Sequence, residues 1–176
     1  MVNNARQQAE HERVQTERRV EDAARDAQQR EEVQRTAYID RLTTFIRSVN
    51  PREIFDEFNN EVLNSSGTVR EIDVHYLPTR TGSTRSFSDS IRESYTVPAS
   101  ADYSIEIKWK ATESKRGRGA IDFSASYPGE RKDIRFGVSG MKWRYSNANA
   151  DGTKELIRRD MVAAYVDACK HLGIVS

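Results

Sequence analysis

The sequence predicts an α+β fold: an antiparallel β-meander of four to six strands, covered on one face by two helices and preceded by a long charged N-terminal helix. Three observations predict it. Met1 to Val49 contains no glycine, proline or lysine and is mostly Gln, Glu, Arg and Ala, all but free of helix breakers. Four consecutive runs between Tyr103 and Tyr145 alternate apolar and polar residues, the period of half-buried strands. Helical spacing then returns from Leu156 to Leu172.

The first helix changes character along its length. Between Asn3 and Ala37 there is no Leu, Ile, Phe, Trp or Tyr, whereas Ile39, Leu42, Ile46 and Val49 follow at steps of three, four and three. Residues 1–37 therefore read as a projecting charged helix or a partly disordered arm, and residues 38–176 as one α+β domain that buries the seam of helix 38–49. Glu21/Arg25, Asp26/Arg30 and Glu31/Arg35 are acid-before-base pairs at four-residue spacing. Val20, Ala23 and Ala27 form a fragment of heptad seam that fails at Arg13 and Gln34, short of a sustained coiled coil.

Asn50-Pro51-Arg52-Glu53 marks a boundary. Pro51 suits the first position of a helix over 51–64, Asn50 suits its cap, and Ile54, Phe55, Phe58, Val62 and Leu63 form its apolar face. A strand over 69–77 follows, with Ile72, Val74 and Tyr76 on one side. Residues 79–96 are rich in Ser, Thr and Arg and read as a long loop, with room for a short edge strand near Phe87 or Tyr95.

Strands are predicted over 103–111, 119–127, 131–138 and 141–146, with turns at Pro128-Gly129 and Ser139-Gly140. Symmetric turns would align Trp109, Ile121, Phe136 and Trp143 in one inward row and Ile107, Phe123, Ile134 and Tyr145 in the next. A helix over 153–172 closes the chain, capped by Asp151 or Thr153 and stopped by Gly173, with His171 near its terminal carbonyls.

Formal net charge is +1, so no global attraction to polyanions is expected. That neutrality hides asymmetry: residues 50–102 carry 5 Lys/Arg against 9 Asp/Glu, and residues 103–145 carry 10 against 5. The same register puts Lys108, Asp122, Arg135 and Arg144 in one outward row. Lys110, Lys142 and the loop Lys115-Arg116-Gly117-Arg118 lie nearby. Lys108, Lys110, Lys115, Arg116, Arg118, Arg135, Lys142 and Arg144 are thus the candidate contacts for phosphate or an acidic partner, weighed against a plain solvated face. With Trp109, Trp143 and Tyr145 inward, phosphate contact without base readout is expected.

Glu106-Ile107-Lys108 resembles the E-x-K half-motif of metal-dependent nucleases, with Asp73 or Asp89 as the upstream acid. That nuclease core follows the motif with a helix, and here a strand is predicted. His11, His75 and His171 are scattered, and there is no P-loop, G-x-S-x-G or Cys/His cluster. No catalytic residue, metal or cofactor is expected.

The apolar runs are far shorter than the roughly 20 residues that span a bilayer, the N-terminus has no signal-like apolar core, and Cys169 stands alone. A cytoplasmic protein without a membrane partner is expected. The leading reading is a non-enzymatic interaction module whose N-terminal helix, through Val20, Ala23, Ala27, Ile39, Leu42 and Ile46, binds another copy or another protein. Nucleic-acid binding through the basic face is the alternative, and a nuclease-like hydrolase the third.

Overall fold

The computed structural model describes residues 2–85, 92–112, 115–128, 133–139, 143–146 and 150–173. The fold is α+β, and the chain divides into two compact units, Met1–Ala37 and Tyr38–Ser176. Helix α1 spans Val2–Val49.

The first unit is helix alone. Every side chain from Glu10 to Ala37 is exposed. Good helix formers hold it, helped by local pairs: Arg13 meets Glu17 at 3.3 Å, and Arg35 reaches back to Glu32 at 3.7 Å rather than to Glu31. Such exposed pairs contribute about 0.2–0.5 kcal/mol each.

The second unit contains the end of α1, α2 (Pro51–Glu61), β1 (Thr68–Leu77), β2 (Arg80–Arg85), β3 (Arg92–Val97), β4 (Ser100–Thr112), β5 (Lys115–Pro128), β6 (Ile134–Val138), β7 (Arg144–Ser146) and α3 (Ala150–His171). One five-stranded sheet runs in the order β1-β4-β5-β6-β7, with every neighbour antiparallel. β2 and β3 pair separately, so the segment read as a loop over 79–96 contains a hairpin. Phe87 lies outside the described residues. Tyr95 sits opposite Gly82, where a Cβ would come within 2.5 Å of the tyrosine ring, so ring over glycine helps fix that hairpin's register.

The sheet's inner face carries Tyr103, Ile105, Ile107, Trp109, Ile121, Phe123, Phe136 and Val138, all buried. Helix α2 covers it with Ile54, Phe55 and Phe58, and α3 with Ile157, Met161 and Ala164. The end of α1 adds a third cover: Leu42 and Val49 are fully buried, and Phe45 packs on Phe136 with ring centres 5.9 Å apart. Tyr165 of α3 touches both Phe58 and Trp109, at 5.6 and 5.4 Å between centres, joining α2, α3 and β4.

Two expected caps are corrected. Asn50 has φ 49° and makes no side-chain cap bond; instead its N–H donates to the Ile46 carbonyl at 2.7 Å, so it ends α1 in the left-handed conformation that asparagine tolerates. Its side-chain amide donates to Glu53 at 2.9 Å. Helix α3 begins at Ala150, which places Asp151 and Thr153 inside it rather than at its cap. Gly173, at φ 64°, follows the helix end as expected.

The strand registers differ from symmetric turns, each for a physical reason. Ile107 faces Ile121, and Trp109 faces Gly119, where the missing side chain leaves room for the indole. β5 runs on through Pro128, so Phe136 opposes Ala125 instead of Ile121. These two shifts are even and keep each strand's faces.

Between β6 and β7 the shift is a single residue: Phe136 opposes Arg144, and Arg135 opposes Tyr145. Trp143 and Tyr145, expected in the core, are therefore outside and about half exposed. Ser139 directly follows β6. It is tied to β5 through its N–H to the Asp122 carbonyl at 2.9 Å and its hydroxyl to the Asp122 carboxylate. In β1 a bulge between Ile72 and His75 turns Ile72 outward while Val74 and Tyr76 face inward.

Candidate interaction surfaces

Of the eight cations expected on one basic face, the five whose side chains are described, Lys108, Lys110, Arg118, Arg135 and Arg144, do not stand together. Lys110 and Arg118 stand directly opposite each other and are exposed, with Lys108 two residues along β4. Arg135 instead faces Ser126, which pairs with Asp102, eight residues from Lys110 along β4. At about 3.3 Å per residue that is roughly 26 Å away. The side chains of Lys115 and Arg116, and the whole of Lys142, lie outside the described residues.

Arg144 is on the other face. Its Nε donates to Asp160 Oδ2 at 3.0 Å and its Nη2 to Oδ1 at 3.1 Å. Asp160 is 7% exposed, so this guanidinium serves to hold α3 on β7. Asp122 is not between Lys108 and Arg135; it faces Glu106 and is bonded to Ser139. Lys108 folds onto Glu106 at 2.7 Å, which neutralises it locally.

The outward sheet face is accordingly mixed in charge. Its rows read Lys110–Arg118, Thr68–Lys108–Ala120, Arg70–Glu106–Asp122, Ile72–Ser104–Ser124–Gly137 and His75–Asp102–Ser126–Arg135–Tyr145. The only concentrated positive charge among its described side chains is at the Lys110–Arg118 end. The slipped β7 register adds what the sequence reading had excluded: Trp143 and Tyr145 share the outward surface with cations, and the Arg135 guanidinium lies 5.1 Å from the Trp143 ring centre.

A polar cluster at the inner edge of β1 was also missed. The buried Tyr103 hydroxyl donates to Glu71 at 2.7 Å, Glu71 lies 3.7 Å from Arg52, and Arg52 bonds Asp56 at 2.8 Å. Burial, then the bond to Glu71, raise the Tyr103 phenol above its ordinary range. No sequence signal marked it: alternation grouped Glu71 with Asp73 and His75, away from Ile72, Val74 and Tyr76, and only the bulge puts Glu71 on the core side.

For metal chemistry, no group of three or more His, Cys, Asp or Glu among the described residues could hold an ion. Of the nuclease-like residues, Asp73 lies within β1's bulge and Asp89 lies outside the described residues; the element after Glu106-Ile107-Lys108 is strand β5. His171 Nδ1 lies 2.8 Å from the Asp167 carbonyl oxygen, a helix-end contact. Among the described residues, no helix is long and apolar enough to cross a membrane.

In the first unit Val20 is 64% exposed and Ala23 and Ala27 are exposed, whereas in the second unit Leu42 is fully buried and Ile39 and Ile46 are partly buried. The predicted helix interface thus separates into an open seam and one satisfied by the unit's own core. No protein-family model matches this chain, and no curated protein or solved structure matches it either.

Proposed function

We propose that the protein is a non-enzymatic assembly module in which the Met1–Ala37 helix pairs with a second copy of itself along Val20, Ala23 and Ala27. The observation that carries this reading is the exposure of the seam itself, with Val20 at 64% and Ala23 and Ala27 open to solvent. Alanine at successive seam positions permits close approach of a like helix, and the ring of Arg and Glu around it supplies complementary pairs in an antiparallel partner. Light scattering on the full chain tests it. The expected result is a dimer mass that falls to a monomer mass on Ala23→Lys/Ala27→Lys substitution; a monomer before substitution rejects the reading.

A second reading is supported by the β7 register. Cations and two half-exposed aromatic rings share the outward sheet face, the combination used by sheet-type single-strand binders. Binding of a single-stranded oligonucleotide would then weaken steeply with salt and with Lys110→Glu/Arg118→Glu. Binding indifferent to salt, or none at low salt, removes this alternative.

A further inference from the structure

Prolines interrupt the strands at one end of the sheet. β1 and β4 pair as far as Leu77 opposite Ser100, and β2 and β3 resume with Arg80 opposite Val97. Between those pairs lie Pro78 and Pro98, one on each strand, and neither has an N–H to give the ladder. β5 ends at the same level, with Pro128 opposite Ser100. The β2–β3 hairpin is thereby set off from the five-stranded sheet. A cleft of about 450 Å³ opens at the break, lined by Val97 and Pro98 on the hairpin side and by Ser100, Pro128, Arg135 and Tyr145 on the sheet side. Its volume falls in the range of small-molecule sites, roughly 300–1,000 Å³.

The lining sets the chemistry of a ligand. Arg135 is the one charged residue among the described residues that line the cleft. Its guanidinium lies over the Trp143 ring, and no described carboxylate forms an ion pair with it. Asp102, the acid in its row, is two strands away, roughly 10 Å at the usual strand spacing of about 4.8 Å. Water can satisfy a guanidinium N–H but leaves the charge unneutralised, whereas an anion does both. One guanidinium without a second cation suits a monoanion better than a phosphate dianion, and its planar fork matches a carboxylate. The other walls, Val97, Pro98, Pro128 and the half-exposed Tyr145 ring, present apolar surface.

We propose that this cleft binds a small apolar monocarboxylate. The carboxylate sits on Arg135, at the terminal Nη pair because Nε is closed to solvent. The hydrocarbon body packs against Val97, Pro98, Pro128 and Tyr145. The site uses no residue of the Met1–Ala37 helix.

The full chain, labelled at its two tryptophan indoles, is titrated with phenylacetate and 3-methylbutanoate, and for comparison with phenylacetamide, acetate and inorganic phosphate. Isothermal calorimetry follows the same titrations. Trp143 reports on the site because it stacks on Arg135, whereas Trp109 is buried in the core; Trp143→Phe assigns the signals. The expected result is a saturable Trp143 shift with one or both acids. Phenylacetamide keeps the shape without the charge, and acetate the charge without the body; each should bind more weakly by about tenfold or more. Arg135→Met should weaken the acids by a similar factor. So should Val97→Asp, which sets a like charge in the wall at a half-exposed position and leaves the Arg135–Trp143 stack in place. Phenylacetamide binding as tightly as phenylacetate, or phosphate binding more tightly than both acids, overturns the ligand class. Binding undiminished in either variant at an unchanged thermal midpoint overturns the site. Neither shift nor heat with any probe overturns both.

Discussion

Arg144 of β7 grips Asp160 of α3 with both arms of its guanidinium, at 3.0 and 3.1 Å, and the carboxylate it holds is almost wholly buried. Arg159 adds a weaker contact to the same oxygen at 3.3 Å. Removing one member of a buried pair leaves the other desolvated and unpaired. Asp160→Ala should therefore destabilise the protein by about 2–4 kcal/mol, below the fully buried case because Arg144 keeps some solvent contact. Arg144→Met/Asp160→Leu together should recover much of that loss. Chemical denaturation of the three variants checks it, and a double variant no better than Asp160→Ala contradicts it.

Gly119 leaves no room for even a methyl group, since its Cβ would lie 2.2 Å from Trp109 Cζ2. Trp109 is 5% exposed and held against Tyr165, so it has little freedom to move aside. Gly119→Ala should cost about 1–3 kcal/mol and change the near-ultraviolet circular dichroism of the indole. Gly82→Ala, facing the half-exposed Tyr95, should cost less than about 1 kcal/mol because that ring can swing into solvent. Equal midpoint shifts for the two variants would refute the distinction.

Asn50 occupies a left-handed conformation at φ 49°, ψ 62° directly before the buried Pro51. Asn50→Ala places a Cβ in that strained region and removes the bond to Glu53, for a loss of about 1–2 kcal/mol. Asn50→Gly relieves the backbone and should lose less. Thermal melts that rank glycine below alanine would contradict this account of the α1–α2 corner.

Tyr103 links stability to alkaline pH. Burial and the bond to Glu71 raise its pKa in the folded chain above the unfolded value of about 10. The folded state thus holds its proton more tightly; this stabilisation is complete below about pH 10 and declines as pH rises above it. Tyrosinate absorbance should show Tyr103 ionising only as the fold opens. Tyr103→Phe should flatten the loss of stability above pH 10, and an unchanged slope would show that the phenol is not its source.

Much of the fold was legible because parity survives errors of register. Alternation in Ile105–Trp109, Ile121–Ala125 and Ile134–Val138 fixed which side of each strand is buried, and shifts of two and four residues left those sides intact. The Ile39–Val49 and Ile54–Leu63 stripes likewise identified helix faces that do bury residues. The surfaces were less legible because they depend on absolute register. A slip of one residue between β6 and β7 exchanged Arg144 for Trp143 and Tyr145 on the outward face. The alternation of Met141–Tyr145 favoured the other option, because the contact that holds Arg144 inward is with Asp160 in the next element. Of the β2–β3 hairpin only a short strand near Tyr95 was legible, and it is β3; the pairing with β2 was not, because Ser, Thr and Arg carry no apolar period.

The bulge in β1 also bears on how the molecule behaves in a crowd. β1 is an outermost strand of the five-stranded sheet, and outermost strands are templates on which foreign strands add. Its straight pairing runs only from Thr68 to Ile72 before the kink and from His75 to Leu77 after it. The opposite margin is β7, three residues long among the described residues, with its first side chain anchored to α3. Among the described residues neither margin offers a long flat ladder, so runaway sheet-to-sheet polymerisation is discouraged at both ends.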